Sequence, residues 1–263
     1  MADTPEPRNG QPGERRRGIY ILPNLFTTGG LFAGFYAIVQ GMNGNFGYAA
    51  IAIFIAMAMD GLDGRIARWT HTESDFGAEY DSLADMVSFG LAPALVMYEW
   101  ALSGLGKLGW LAAFVYAAGA ALRLARFNTQ VATERRASFQ GLPSPSAAAL
   151  VAGLVWFFQD VGVPGRELTW IALAVTVLAG AAMVSNIRYH SFKQLDIKGR
   201  VPFVAVLAVV LVFVLIALNP PQNLFFLFLV YALSGPITAL GRRYRRVQLA
   251  ARERKRAQRD RHQ

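Results

Sequence analysis

The chain has 263 residues, of which 54% are hydrophobic and 16% are charged, with a formal net charge of +9 and no cysteine. Soluble domains contain about 45–50% apolar residues, rarely in long uninterrupted blocks, so this composition favours a membrane protein. The lack of cysteine excludes disulfides and cysteine-ligated metal sites.

The two ends of the chain differ in character from the middle. Residues 1–18 are polar and rich in proline, glycine and charge, which predicts a disordered cytoplasmic N-terminus. They do not resemble a signal peptide, because the apolar stretch that follows is long and no small-residue cleavage site comes after it. Residues 242–263 are predicted to be a basic cytoplasmic tail, which leaves residues 19–241 as the membrane domain.

The middle of the chain consists of apolar runs whose length suits a bilayer. A helix crosses the hydrocarbon core with about 17–25 apolar residues, and helices satisfy their backbone groups within their own segment. The sequence therefore predicts an all-α integral membrane protein with about eight transmembrane helices. In chain order the predicted spans are residues 21–40, 47–64, 83–100, 108–126, 145–159, 168–185, 201–218 and 222–240.

The basic residues are distributed unevenly across these spans. If the N-terminus is cytoplasmic, 24 of the 26 Lys and Arg residues fall on the cytoplasmic side, and only Lys107 and Arg166 fall on the other. Such an asymmetry is the positive-inside pattern, so both termini are predicted to be cytoplasmic. We attribute the basic excess to topology and to contact with anionic lipid headgroups, and expect no nucleic-acid partner.

The stretch DGLDGRIARWTHTESDFGAEYDSLAD, between the second and third spans, holds seven of the 17 acidic residues. Asp60 and Asp63 are spaced i,i+3, and Asp81 and Asp85 are spaced i,i+4, so each pair shares one face of a helix. A connection of about 12 residues makes the two helices antiparallel neighbours. Four carboxylates are therefore predicted to converge at the cytoplasmic ends of helices 2 and 3.

Converging carboxylates need positive charge, since a charged side chain costs about 2.5–3.5 kcal/mol near the bilayer centre. Arg65 and Arg68 are too few to neutralise the stretch, whereas divalent cations prefer oxygen ligands and pairs of them serve phosphoryl transfer. Gly64 and Ala67 would let a ligand approach the helix, and Arg68 offers donors for a phosphate. The pattern predicts a metal-dependent site for a phosphorylated ligand.

Two further groups are interpreted without a functional role. Glu73, Asp75 and Glu79 are expected to be solvated loop residues. Gly30 and Gly34 have a GxxxG spacing, which we interpret as a close helix contact within the chain.

The acidic stretch matches the pattern D-x-x-D-G-x-x-A-R, then eight residues, then G-x-x-x-D-x-x-x-D, without departure. This pattern resembles that of the CDP-alcohol phosphotransferase family. The resemblance implies a membrane enzyme that transfers a phosphatidyl-type group from a CDP-linked lipid to an alcohol and releases CMP. The resemblance also implies two bound divalent cations, Mg²⁺ or Mn²⁺, whose ligands are Asp60, Asp63, Asp81 and Asp85. It further implies that Asp85 is the general base. On the nucleotide side, it implies that Arg68 faces phosphate and that the nucleotide is lined by Gly64, Ala67 and Gly77.

Four other segments resemble the membrane-embedded bacterial phosphatidylserine synthases of that family: LPNLFTTGGLFAGFYAI, RLARFN, FQGLPSPSAAA and MVSNIRYHSFK. This likeness implies CDP-diacylglycerol and L-serine as substrates, a homodimer, and a multi-pass location in the bacterial inner membrane. Asn24 and Thr27 are expected to bind the cytosine. Arg123, Arg126, Asn128, Arg188 and Lys193 are candidates for binding the acceptor or phosphates, although the basic ones also fit as positive-inside anchors.

Two alternatives remain open. The first keeps the chemistry and changes the acceptor to glycerol 3-phosphate or inositol phosphate. The second is an ion or proton transporter, in which intramembrane carboxylates also collect. Transporter sites lie near the bilayer midplane on interrupted helices, often within repeats, whereas these acids lie at predicted helix ends and no repeat is visible.

Overall fold

The computed structural model describes residues 21–70, 72, 74–131, 140–187, 189 and 203–260. Nearly all of these residues are helical, which confirms the predicted all-α class. The α-helices in the described residues are α1 (Ile21–Met42), α2 (Phe46–Thr70), α3 (Asp75–Asp85), α4 (Ala92–Met97), α5 (Lys107–Val131), α6 (Ser144–Val161), α7 (Thr169–Val184), α8 (Phe203–Leu218) and α9 (Pro220–Asp260).

Short segments of other helix types connect some of these elements. A π-helix, Met86–Leu91, joins α3 to α4, and a second π-helix, Tyr98–Leu102, and a 3₁₀ turn, Ser103–Leu105, follow α4. Residues 75–105 therefore form one long helical rod. A 3₁₀ turn at Gly165–Leu168 precedes α7.

Six helical stretches in the described residues are long and apolar enough to cross a membrane. This finding confirms a multi-pass membrane protein. The other two predicted spans are present as α6 and α8, which have 18 and 16 residues and are shorter than the roughly 20 of a full crossing. The six are Pro23–Met42, Phe46–Thr70, Asp75–Leu105, Lys107–Thr129, Gly165–Val184 and Pro220–Gly241.

The outer surface of the helices is apolar. Phe32 on α1, Phe114 on α5 and Phe213 on α8 expose 68%, 59% and 72% of their side chains. A soluble protein would bury such residues, whereas lipid tails accept them. The exposed apolar surface therefore agrees with the membrane assignment.

The helices pack through small residues, as expected where lipid provides no hydrophobic drive for association. A Cβ on Gly119 of α5 would lie 2.6 Å from the carbonyl oxygen of Gly180 on α7. A Cβ on Gly34 of α1 would lie 2.7 Å from the Cα of Ser88 in the first π-helix. The GxxxG spacing therefore marks a close contact within the chain, as predicted.

The connection between α2 and α3 is shorter than the predicted 12 residues, because α2 ends at Thr70 and α3 begins at Asp75. The Thr70 hydroxyl donates to the carbonyl of Ile66 at 2.8 Å and so completes the last turn of α2. Ser74 caps α3, because its hydroxyl oxygen accepts the N–H of Gly77 at 3.1 Å. Thr70 and Ser74 therefore belong to the ends of α2 and α3, whereas the apolar pattern alone placed both residues in a loop.

The loop interpretation is consequently wrong for Asp75 and Glu79, which lie on α3. Both side chains are exposed, as expected. Glu73 lies outside the described residues.

Helix α9 continues from Pro220 to Asp260 with Pro236 inside it. The proposed limit between the membrane domain and the basic tail, at residue 242, falls within this helix. The division into domains stays a prediction.

We predict that Gly119→Ala lowers the thermal unfolding midpoint of the detergent-solubilised protein, because the new Cβ meets the α7 backbone, which cannot move without separating the helices. Gly47→Ala is the control. A Cβ there meets nothing within 4 Å, and alanine favours a helix over glycine by about 1 kcal/mol. Tryptophan fluorescence during heating measures both variants. If Gly119→Ala unfolds at the same temperature as the parent protein, α5 and α7 do not approach each other so closely.

Candidate functional site

Three carboxylates meet where α2 lies beside α3. Asp60 and Asp63 on α2 and Asp81 on α3 each offer an oxygen, and these oxygens all lie within 4.8 Å of one another. Asp63 is only 5% exposed, and Asp60 and Asp81 are half-buried. The convergence predicted from helical spacing is therefore present for these three residues, and their oxygens could hold a metal ion.

Asp85 lies one turn beyond Asp81 and outside that three-residue group. All four aspartates nevertheless line one small cavity of about 10 Å³, roughly the space of a single water-sized atom. The carboxylates of Asp60, Asp81 and Asp63 act on Asp85 more strongly than the opposing positive charge of Arg123, on α5. The fourth aspartate thus belongs electrostatically to the same cluster.

The start of α1 holds the aspartate cluster in place. The hydroxyl of Thr27, which is only 5% exposed, donates to Oδ2 of Asp63 at 2.8 Å. Its oxygen also lies 3.2 Å from the carbonyl of Pro23. One residue further on, the hydroxyls of Thr28 and Tyr80 are 2.9 Å apart, which joins α1 to α3.

A larger cavity of about 370 Å³ extends from Asp63 and Asp81 towards the connection between α2 and α3. Ligand pockets commonly have about 300–1,000 Å³, so a nucleotide-sized group is compatible with this volume. Arg68 is exposed and is not among the lining residues. The cavity brings together five of the six residues predicted to bind the nucleotide: Asn24, Thr27, Gly64, Ala67 and Gly77.

The glycine of the pattern before Asp81 lies where space is limited. A Cβ on Gly77 would lie 3.1 Å from the hydroxyl of Ser74 and 3.5 Å from the amide oxygen of Asn24. A larger residue would therefore press on the hydroxyl that caps α3, while a Cβ would make only ordinary contact with Asn24.

The basic candidates on α5 divide into two environments. Arg123 is 8% exposed, and its Nη1 donates to the carbonyl of Gln140 at 3.2 Å. Arg126 donates from Nη2 to the same carbonyl at 2.8 Å and from Nη1 to the carbonyl of Val184 at 3.2 Å. The guanidinium of Arg126 therefore binds backbone carbonyls at the end of α7 and before α6.

Asn128 also makes a structural contact. Its Nδ2 donates to the hydroxyl of Ser82 at 3.1 Å, which links the end of α5 to the helix that carries Asp81. The predicted candidates Arg188 and Lys193 lie outside the described residues.

The segment after α7 is attached to α9 through Tyr189. The phenol of Tyr189 donates to the carbonyl of Ala232 at 3.3 Å. Burial, and to a lesser extent the neighbouring Tyr231, raise the pKa of Tyr189, so this phenol stays protonated.

Comparison with known proteins identifies the family. A family model described as CDP-alcohol phosphatidyltransferase matches residues 20–181. The chain belongs to this family.

Curated relatives of this CDP-alcohol phosphatidyltransferase carry a more specific name. A CDP-diacylglycerol–serine O-phosphatidyltransferase of Helicobacter pylori is 39% identical over 176 residues, which cover 67% of this chain and 74% of the relative. A protein of the same name from Mycobacterium leprae is 36% identical, and the match covers 76% of this chain and 69% of the relative. Another from Bacillus subtilis is 33% identical, and the match covers 66% of this chain and 92% of the relative. The predicted family and the prediction of a phosphotransferase are confirmed.

The structure also adds residues to the cavity of this phosphatidyltransferase that the sequence did not indicate. Thr72, Ser74 and Asp75 line it. The hydroxyls of Thr70 and Thr72 are 2.7 Å apart, and either could be the donor. This contact fixes the Thr72 hydroxyl at the cavity wall. The serine and threonine residues around the end of α2 and the start of α3 were the available signal, since these types cap helices.

We predict that Arg126→Ala lowers the thermal unfolding midpoint, because α5 loses its hydrogen bond to the carbonyl of Val184. A hydrogen bond from a charged group contributes about 1.5–3 kcal/mol. Arg65→Ala, which removes an exposed arginine of α2, is the matched control and should unfold like the parent. Heating in detergent, followed by tryptophan fluorescence, compares the three proteins. A stable Arg126→Ala protein would contradict the role of this guanidinium as an attachment between α5 and α7.

Proposed function

We propose that this chain transfers the phosphatidyl group of CDP-diacylglycerol to the hydroxyl of L-serine, which gives phosphatidylserine and CMP. The observation that carries the proposal is the aspartate cluster at one end of a nucleotide-sized cavity. The name shared by the Helicobacter, Mycobacterium and Bacillus relatives supports serine as the acceptor.

We further propose that the aspartates bind two divalent cations, Mg²⁺ or Mn²⁺. The donor set fits, because it consists of carboxylate oxygens from Asp60, Asp63 and Asp81, which hard cations prefer. Asp85 faces the same small space and completes the proposed set. When bound, such cations neutralise a diphosphate and stabilise the charge that develops on the departing phosphate.

The larger cavity is the proposed site of the nucleotide. Asn24 and Thr27 would bind the base, while Gly64, Ala67 and Gly77 leave room for the ligand against α2 and α3. The hydrogen bond to Asp63 fixes the side chain of Thr27. One side chain would therefore position both the cytosine and the aspartate cluster. Arg68, at the exposed end of α2, would contact phosphate.

Asp85 is the proposed general base. It borders the cluster but stands apart from the group of three, which suits a carboxylate that has to accept a proton. The serine oxygen forms a bond to the phosphorus that bears diacylglycerol, and its proton moves to Asp85. The bond from that phosphorus to the bridging oxygen breaks, and CMP departs with the bridging oxygen.

Among the candidates for binding the acceptor, Arg123 has the best-supported position. It is buried, and its positive charge attracts the carboxylate of Asp85. A guanidinium there would bind the carboxylate of serine. Arg126 and Asn128 already bind protein groups. Together with Arg188 and Lys193, they remain candidates from sequence.

We propose that the protein lies in a bacterial inner membrane with both termini in the cytoplasm, supported by the distribution of 24 of 26 basic residues. The family resemblance supports a homodimer, which chemical crosslinking in membranes would test. The basic tail is proposed to contact anionic lipid.

Purified protein with Mg²⁺ or Mn²⁺ is expected to release CMP from CDP-diacylglycerol when L-serine is present, and much less with glycerol 3-phosphate or inositol phosphate. Chromatography of CMP and of the lipid product measures the three acceptors in parallel. Preference for another acceptor would retain the chemistry and reject serine. No CMP with any alcohol would reject the transferase and favour an ion or proton transporter.

We expect Asp85→Asn to lower kcat by at least about 100-fold, because the amide cannot take the acceptor proton. Binding of CDP-diacylglycerol should be partly retained, since the nucleotide cavity and the oxygens of Asp60, Asp63 and Asp81 are intact. Glu79→Gln is the control, since this acid is exposed on α3 and lines neither cavity. Initial rates of CMP release compare kcat of the two variants with that of the parent. Nearly full turnover by Asp85→Asn would show that Asp85 is not the general base.

A further inference from the structure

The helix that carries Asp81 and Asp85 changes its hydrogen-bond pattern immediately after Asp85. From Met86 to Leu91 it is a π-helix, in which the N–H of Ala92 donates to the carbonyl of Val87, five residues earlier. Segments of this kind are rare and are often found at functional sites.

Pro93 gives a physical reason for this change. In an α-helix the carbonyl of Phe89 would accept the N–H of residue 93, but proline has none, and its ring collides with that carbonyl. In a π-helix the carbonyl of Ser88 would need the same missing donor. Pro93 therefore deprives this turn of a backbone donor in either pattern.

The hydroxyl of Tyr116, on α5, supplies a donor. It donates to the carbonyl of Phe89 at 3.1 Å, and Tyr116 and Phe89 are 0% and 1% exposed. Water cannot replace this bond inside a membrane protein, where a backbone group without a partner is costly. Tyr116 thus satisfies a carbonyl that Pro93 leaves without its α-helical partner.

The opposite side of the π-helix is held as well. The hydroxyl of Ser88, which is 2% exposed, donates to the carbonyl of Gly30 on α1 at 3.1 Å. The absence of a side chain at Gly34 lets α1 approach this turn. The π-helix is therefore fixed between α1 and α5.

This attachment bears directly on the aspartate cluster. Ser88 and Phe89 line the same small cavity as Asp85. Without the Tyr116 hydroxyl this turn would have to shift to give the Phe89 carbonyl another donor. Each residue of a helix corresponds to a rotation of about 100°, so a small shift of the turn would redirect Asp85.

We propose that Tyr116 is a positioning residue for the aspartate site: its hydroxyl, through the carbonyl of Phe89, holds in place the π-helical turn that directs Asp85 towards Asp60 and Asp81. The inference rests on the proposed function for the role of Asp85. A residue that only supported the fold would change the thermal stability of the protein. A positioning residue also changes metal binding and turnover at the aspartate site.

The test is Tyr116→Phe, which keeps the ring and removes the hydroxyl, measured beside Tyr48→Phe, whose side chain on α2 is 67% exposed. In Tyr116→Phe we expect Mn²⁺ binding, followed by electron paramagnetic resonance, to weaken and kcat for CMP release to fall, each by about tenfold, the size expected from a lost buried hydrogen bond. KM for CDP-diacylglycerol, measured at saturating Mn²⁺, should stay near that of the parent. Tyr48→Phe should match the parent in all three measurements.

A double-mutant cycle with Pro93→Ala isolates the mechanism. Alanine returns an N–H to position 93, so the carbonyl of Phe89 no longer needs Tyr116. Pro93→Ala should itself reduce Mn²⁺ affinity and kcat, and adding Tyr116→Phe should cause little further loss. If the losses multiply, or if Tyr116→Phe lowers only the thermal midpoint, the proposal is wrong.

The two proposals can be separated. A parent protein that binds Mn²⁺ but releases no CMP with any acceptor would reject the proposed function, while the Mn²⁺ arm of the cycle would still decide the role of Tyr116. A parent with normal turnover and a Tyr116→Phe variant with unchanged Mn²⁺ affinity and kcat would reject only the positioning role.

Discussion

The mutual repulsion of the aspartate carboxylates is the constraint on which the rest of the structure depends. Three of them have oxygens within 4.8 Å of one another beside a hydrophobic core. At such distances like charges repel strongly, and more so where the dielectric constant is low. The helices must therefore be held together by interactions elsewhere. The glycine contacts of α1 with the π-helix and of α5 with α7, and the bond from Thr27 to Asp63, provide them.

How much of this arrangement the sequence predicts depends on the range of the interaction. Helical periodicity predicted that Asp60 and Asp63 share a face and that Asp81 approaches them, because spacing within a helix is a local property. Apolar run length predicted the membrane helices for the same reason. The ends of α2 and α3 were misplaced because Thr70 and Ser74 extend the helices through side-chain bonds that hydropathy does not record.

The role of Arg126 illustrates an interaction that the sequence could not predict. Its charge and position near the cytoplasmic end of a span indicated either a lipid anchor or a substrate ligand. Its partners are backbone carbonyls at Gln140 and Val184, and the second is 58 residues away. A carbonyl carries no residue-type signal, so no sequence pattern marks it. Pro93 lies inside the span predicted at residues 83–100, and its effect on the helix became interpretable only once the donor from Tyr116 was located.

Helix α5 combines these functions on one face. Tyr116, Arg123 and Arg126 follow the spacing i, i+7, i+10, which places them along a single stripe of the helix. Tyr116 contacts the π-helix after Asp85, Arg123 acts on Asp85 itself, and Arg126 binds the ends of the neighbouring segments. Gly119, between them, brings α7 against the helix. Because one rigid helix makes all these contacts, a displacement of α5 would move Arg123 and the support of Asp85 together. One helix, α5, thus carries both the proposed acceptor-binding group and the support for the turn beside the proposed base.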